Sequence, residues 1–188
     1  RDAETGLPLT SYDLWEEKRG THTFTCAAVY GALVAAADMA LVLGKKEDEL
    51  KYRETAEQIR EGILRYLWDD KKGIFYKLIA HEGDQIRIDE TLDMSSAYGI
   101  FAFGVLPVGD VRLKRAFDMS VVRLSHGIAV GGIARYEGDN YYREHAEAAG
   151  NPWIVTTLWY AEYLIASSRN EHELQRVKDI FKWTLKYA

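Results

Sequence analysis

At 188 residues the chain is one domain by size and long enough to bury a substantial core. Lys and Arg total 24 against 29 Asp and Glu, a formal charge of -5 with no basic block. That balance excludes the electrostatic footprint of a nucleic-acid or anionic-membrane binder.

Residues 1–20 read as loop, punctuated by Gly6, Pro8 and Gly20. A first helix is predicted from about Thr21 to Leu43, ended by Gly44, with Asp38 its only Asp, Glu, Lys or Arg. A helix so apolar is expected to be buried on most sides. The uncharged run Thr21–Ala37 is diluted by His22, threonines and Gly31, so it reads as a buried helix and not a membrane span. Cys26 lies in this run and is expected to be a small packed residue. A lone cysteine cannot form an internal disulfide, which is compatible with a reducing, cytoplasmic setting. No secretory leader is expected at the start of the chain.

A second helix, about Glu47 to Trp68, places Tyr52, Ala56, Ile59, Ile63, Tyr66 and Leu67 on one face, with charges on the other. Residues 69–73 form a turn. Ile74–Ile79 and Ile86–Ile88 then read as a short hairpin around His81-Glu82-Gly83-Asp84. The third helix, about Thr91 to Val105, again carries one charge, Asp93. The fourth, about Asp110 to Ser125, is amphipathic through Leu113, Phe117, Val121 and Leu124. A long loop, 126–151, precedes a fifth, apolar helix with Pro152 in its first turn and Glu162 its one charge. A sixth, about Glu171 to Tyr187, is amphipathic through Leu174, Val177, Phe181 and Leu185.

An apolar helix followed by an amphipathic one, three times over, implies three αα-hairpins. Stacked side by side, they give an inner apolar layer and an outer amphipathic layer. The inner helices then run parallel. The loops entering them, 9–21, 80–90 and 126–151, share one end, where helix N-termini favour oxygen-rich ligands.

The first of those loops holds Tyr12-Asp13-Leu14-Trp15-Glu16-Glu17, three carboxylates and two rings within six residues. Carboxylates move protons and grip hydroxyls, and rings cover the apolar face of a sugar. The third loop holds Arg135-Tyr136-Glu137-Gly138-Asp139-Asn140-Tyr141-Tyr142, continued by Gly150-Asn151-Pro152-Trp153. A guanidinium offers several donors in fixed geometry, and a carboxylate accepts from hydroxyls. Read blandly, the first motif is an acidic capping loop, and Arg135–Asp139 is an ion pair that ties a loop.

Both motifs resemble those of the glucoamylase-type glycoside hydrolases, in that family's order and each before an inner helix. The resemblance implies an all-α fold, an α/α toroid of six hairpins, of which residues 1–188 would be a single partial domain. It implies an inverting, exo-acting release of glucose from malto-oligosaccharide, dextran-like or trehalose-like glucosides, with no cofactor and no metal. Glu16 would be the general acid, and Tyr12, Asp13, Trp15, Glu17, Arg135, Asp139 and Trp153 would bind substrate. An inverting enzyme needs a second carboxylate as base, roughly 6.5–9.5 Å from the acid. The family's base would lie beyond or near the end of this chain. Glu137 is a fallback. The family's N-terminal Arg-Asp pair is absent, and residues 143–149 lengthen the loop before Gly150. The implied partners are an oligosaccharide and the rest of the parent catalytic domain, with no nucleic acid and no membrane. The alternative is a non-catalytic glucoamylase-like domain that binds carbohydrate or a regulatory partner.

Other residues read blandly. His22 and His126 sit at element ends, Ser95-Ser96 allow close helix packing, and Trp159, Tyr160 and Tyr163 are core rings. No His or Cys spacing suggests a metal.

Overall fold

The computed structural model describes residues 1–188 apart from 84, 126, 128 and 129. The readings of His126 and of Asp84 in the hairpin turn therefore lie outside the described residues.

In chain order the elements are β1 (Ser11–Tyr12), β2 (Arg19–His22), α1 (Thr23–Val42) and α2 (Lys46–Gly62), the last running into a π-helical turn, Ile63–Leu67. Four strands follow: β3 (Trp68–Asp69), β4 (Ile74–Phe75), β5 (Leu78–Glu82) and β6 (Gln85–Asp89). Then come α3 (Met94–Ala102), α4 (Val111–Leu124), β7 (Ile133–Ala134), β8 (Pro152–Trp153), α5 (Ile154–Ser167) and α6 (Gln175–Tyr187). Helix α3 packs between α1 and α5, while α2, α4 and α6 each cover one inner helix. This is the two-layer arc that the alternation of helix types predicts.

The amphipathic faces explain the outer layer. On α2, Ala56 and Ile59 are buried, and on α4 so are Leu113, Phe117, Val121 and Leu124, as their spacing predicts. On α6 the buried face is rotated: Val177 is covered, but Phe181 is 45% and Leu185 82% exposed. Trp183 takes their place by reaching back to donate its indole N–H to the Val130 carbonyl at 2.6 Å.

Close approach of the inner helices depends on a glycine. A Cβ on Gly99 of α3 would stand 3.1–3.2 Å from Phe24 of α1, tighter than ordinary contact. Ser95 and Ser96 are buried on the same helix, and Ser96 donates its hydroxyl to the Tyr76 carbonyl at 3.3 Å.

Helix α1 is less covered than its composition predicts. Cys26, Ala27, Ala37 and Ala40 are buried, but Met39, Leu41, Val42 and Leu43 are more than half exposed. The helix is long and apolar enough to cross a membrane by length and composition. Its packing against α2 and α3 gives it the place of an inner helix. It lies at one end of the arc, where no neighbour covers its second flank among the described residues. The other end shows the same feature in Val155 and Ile165 of α5, at 40% and 49% exposure. Cys26 is fully buried, and burial pushes its thiol up to about 12, as suits a packed cysteine.

The strands correct the reading of residues 1–20 as loop and of Ile74–Ile79 as one strand. β4 pairs with β3, and a four-stranded antiparallel sheet runs β1-β2-β5-β6. Each inner helix also starts two or three residues later than predicted. The residues before it are extended and paired: Thr21 with Ile79, Asp93 with Tyr136, and Pro152–Trp153 with Ile133–Ala134. Pro152 therefore lies in a strand and not in the first turn of α5. These pairings stitch the loop end of the arc together, which is what positions the site.

Candidate active site

The first motif sits on the turn of the β1–β2 hairpin. The backbone N–H of Asp13 donates to the Lys18 carbonyl at 2.9 Å, and that of Glu16 to the Asp13 carbonyl at 3.0 Å. The Asp13 side chain turns inward and accepts from the N–H groups of Glu17 (2.7 Å) and Lys18 (3.1 Å). Its other oxygen lies 3.2 Å from the buried Lys77 ammonium. Burial alone would raise the Asp13 carboxyl, but the two N–H groups and Lys77 together hold it below its ordinary value. With Asp13 committed to the interior, Glu16 is left on the outside of the turn in a left-handed conformation, φ 59°. Few residues other than glycine adopt that region without strain. The Glu16 carboxylate is exposed and has no hydrogen bond or ion pair among the described residues.

The second motif meets the first directly. Arg135 grips Asp139 through two parallel bonds, Nε to Oδ2 at 2.7 Å and Nη2 to Oδ1 at 2.8 Å. The same Nη2 donates to Glu17 at 3.1 Å, and the Tyr136 hydroxyl donates a short bond to the other Glu17 oxygen. Asp139 also accepts from the Tyr141 N–H at 3.0 Å and is fully buried. This bidentate partner raises the Arg135 guanidinium further above its already high value. Four rings cage the guanidinium: Trp153 at 4.7 Å, Trp15 at 5.1 Å, and Tyr136 and Tyr141 at 5.3 Å. Arg135 Nη1 carries no hydrogen bond among the described residues, so one face of the fork remains unspent.

The loop between Tyr141 and Pro152 is held by its own side chains. Asn151 donates to the carbonyls of Tyr141 (3.2 Å) and Tyr142 (2.6 Å). Arg143 donates to the carbonyls of His145, Ala146 and Ala148, lacing up the extra residues 143–149. Gly150 crosses directly over Asp139, where a Cβ would come within 2.6 Å of the aspartate's own Cβ. No other residue fits that crossing without displacing the Arg135 partner.

The loops that the alternation of helices places at one end do share it. Two of the expected binding residues take different places. Asp13 and Asp139 are buried at 7% and 0% exposure with their oxygens engaged by the protein, so neither offers a free carboxylate to a sugar. They hold the loops whose other residues are presented. Glu17 is shared between Arg135 and Tyr136. Tyr12 is 63% exposed on the outer strand β1. Trp15 donates its indole N–H to Asp93 at 2.9 Å and lies 5.9 Å from Trp159, which stacks on Tyr98 at 4.4 Å. Trp159 is a partly buried ring packed against the core as well as beside Trp15, and Tyr160 and Tyr163 are buried core rings. Glu137 is engaged elsewhere, paired with Arg123 and accepting from the Leu92 N–H at 3.3 Å. No cluster of His, Cys, Asp and Glu able to hold a metal occurs among the described residues.

Sequence reasoning missed Lys77, Asp93 and the ring of Tyr136 as parts of one centre. A signal existed for the first two. Lys77 is the one charge in the apolar run Ile74–Ile79, and Asp93 the one charge on the third helix.

Residues 7–183 match the family described as glycosyl hydrolases family 15. The chain belongs to this family. It is 29% identical over 188 residues to an uncharacterised glycosyl hydrolase of Methanocaldococcus jannaschii, covering 94% of this chain and 28% of that one. It is 28% identical to a glucoamylase of Blastobotrys adeninivorans, covering 84% of this chain and 27% of that one. Among solved structures, the fold is similar to a glycosidase variant in complex with glucose, TM-score 0.71 at 20% identity, over 93% of this chain and 41% of the other. A bacterial glucoamylase complexed with acarbose gives a TM-score of 0.67 at 18% identity, over 89% and 28%. The arc is therefore part of an α/α toroid, and the chain spans less than a third of the length of the curated family 15 relatives it matches.

Proposed function

We propose that residues 1–188 form the acid-bearing portion of a longer family 15 enzyme, an inverting, exo-acting α-glucosidase that releases glucose from malto-oligosaccharide, dextran-like or trehalose-like glucosides. One observation carries this reading. Of the three carboxylates on the first loop, only Glu16 is unpartnered and exposed, and it stands next to a Glu17–Arg135–Asp139 chain that could grip hydroxyls.

In this scheme Glu16 protonates the leaving glycosidic oxygen. Glu17 accepts from a sugar hydroxyl, and the unspent Arg135 Nη1 donates to another. Asp13 and Asp139 set those groups in place without touching substrate. Trp15, Trp153 and Tyr12 offer ring faces to the sugar's C–H surface. The water-activating base comes from outside residues 1–188, because the neighbouring carboxylates approach from the acid's own side and Glu137 is bound to Arg123.

The test compares glucose release from malto-oligosaccharides by residues 1–188 and by the parent protein. Activity in the parent and none in residues 1–188 is the expected result. Equal activity would place a base within 1–188, and Glu137 would be the first residue to mutate. Inactivity of both on malto-oligosaccharide, isomaltose and trehalose would overturn the enzymatic reading in favour of a carbohydrate-binding or regulatory domain.

A further inference from the structure

Beneath the acid's loop lies a buried charge that the scheme above does not use. Lys77 is 2% exposed, in the short link between β4 and β5. Its backbone is pinned at both sides: its N–H donates to the Asp89 carbonyl at 3.1 Å, and its carbonyl accepts from the Thr23 N–H at 3.2 Å. Its ammonium reaches three segments at once. It lies 3.2 Å from Asp13 and 3.0 Å from Asp93, outside ideal hydrogen-bond alignment, and 3.8 Å from the centre of the Tyr136 ring.

Each contact leads to the site in one step. Asp13 fixes the N–H groups of Glu17 and Lys18 and so the turn that carries Glu16. Asp93 caps α3 by accepting from the Ser95 N–H at 2.8 Å, and holds the Trp15 indole. Tyr136 holds Glu17 through its hydroxyl. A buried ammonium between two carboxylates is a poor stabiliser compared with apolar packing of the same volume, but it specifies one arrangement of its partners.

We propose that Lys77 is a positioning residue for proton donation: by tying Asp13, Asp93 and Tyr136 to one point, it holds Glu16 where the leaving oxygen will be. The proposal rests on the reading of Glu16 as the acid. It distinguishes Lys77 from a merely structural residue, because misplacing an acid slows only those substrates whose leaving group needs a proton.

The experiment uses the parent protein with Lys77→Met, Lys77→Arg and Glu16→Gln side by side. kcat and KM are measured on whichever of maltose, isomaltose and trehalose is cleaved fastest, and on 2,4-dinitrophenyl α-glucoside, whose leaving group departs unprotonated. Lys77→Met should lower kcat on the disaccharide about 10- to 100-fold and kcat on the dinitrophenyl glucoside less than about 3-fold, while KM rises alike on both substrates because Tyr136 and Asp93 hold Glu17 and Trp15. Lys77→Arg keeps the charge, so it folds if the methionine variant does not. It should show the same selectivity at roughly 3- to 10-fold, because a planar fork cannot occupy the ammonium's position between both carboxylates. Equal losses on the two substrates, or no loss on either, in a folded variant would make Lys77 structural only and overturn the proposal. If instead Glu16→Gln cleaves the disaccharide normally, the acid assignment itself falls, and this proposal with it.

Discussion

The two loops that make the site are built on the same plan and finish with opposite charges on offer. In the Asp13–Lys18 turn a buried aspartate gathers backbone N–H groups and is neutralised by a lysine from elsewhere in the chain, Lys77. In the Arg135–Trp153 loop the buried aspartate is neutralised by its own neighbour, Arg135. The first loop therefore presents one free anion, Glu16, and the second a cation locked by three bonds and four rings. A group that must deliver a proton has to be free to reach the leaving oxygen, while a group that must recognise a hydroxyl gains from rigidity.

The contrast is easiest to break at Glu16. Glu16→Gln keeps size and loses the transferable proton, so kcat of the parent enzyme on disaccharide should fall about 10²–10⁴-fold. A variant with near-normal turnover would remove Glu16 from the role. The matching change in the second loop is Asp139→Ala. It leaves a buried guanidinium without its partner and should cost about 3–5 kcal/mol of stability, read by urea denaturation. A loss below about 1 kcal/mol would mean that the rings and Glu17, and not Asp139, hold Arg135.

Glu17 joins the two loops and should respond between them. Glu17→Gln is expected to raise KM about 10-fold with a smaller effect on kcat, since a neutral amide still accepts one bond but loses the charge-assisted contact to Arg135. A kcat loss as large as that of Glu16→Gln would instead assign Glu17 the proton.

The smallest of these effects is on pH stability. Burial alone would raise the Asp89 carboxyl, but Lys18 at 2.8 Å and Thr91 bring it down to about 2. The folded value lies below the ordinary 3.8, so its stabilisation is complete above pH 4 and is lost as pH falls toward 2. Lys18 is 46% exposed, so the pair contributes only about 1 kcal/mol after solvent screening. Lys18→Met should lower the melting temperature at neutral pH by an amount that shrinks as pH falls from 4 to 2. A difference as large at pH 2 as at pH 7 would exclude the ion pair as its cause.

Much of this architecture was legible in the sequence because helix patterning is local. One charge on each inner helix against a charged face on each outer helix was enough to order the layers. The two motifs were legible as well, since their polar and aromatic residues crowd into short stretches. Which aspartates face inward was not. Asp13 and Glu16 are chemically alike in a sequence, and only the turn geometry, with its left-handed residue, sends one inside and the other out. Lys77 shows the same limit. An isolated charge in an apolar strand signals a buried pair, but its partners lie 64 residues upstream and 16 residues downstream. The shift of each helix start came from strand pairing between loops, a non-local effect that propensity does not carry.

The left-handed backbone at Glu16 sets stability and chemistry against each other at one position. A β-carbon there costs roughly 1 kcal/mol relative to glycine, and the glutamate side chain returns no hydrogen bond or ion pair among the described residues. Glu16→Gly should therefore melt at a higher temperature than the natural protein while losing its activity. Selection for thermal robustness alone would drift toward discarding the carboxylate proposed as the acid, so a screen for hardier variants has to monitor glucose release at the same time.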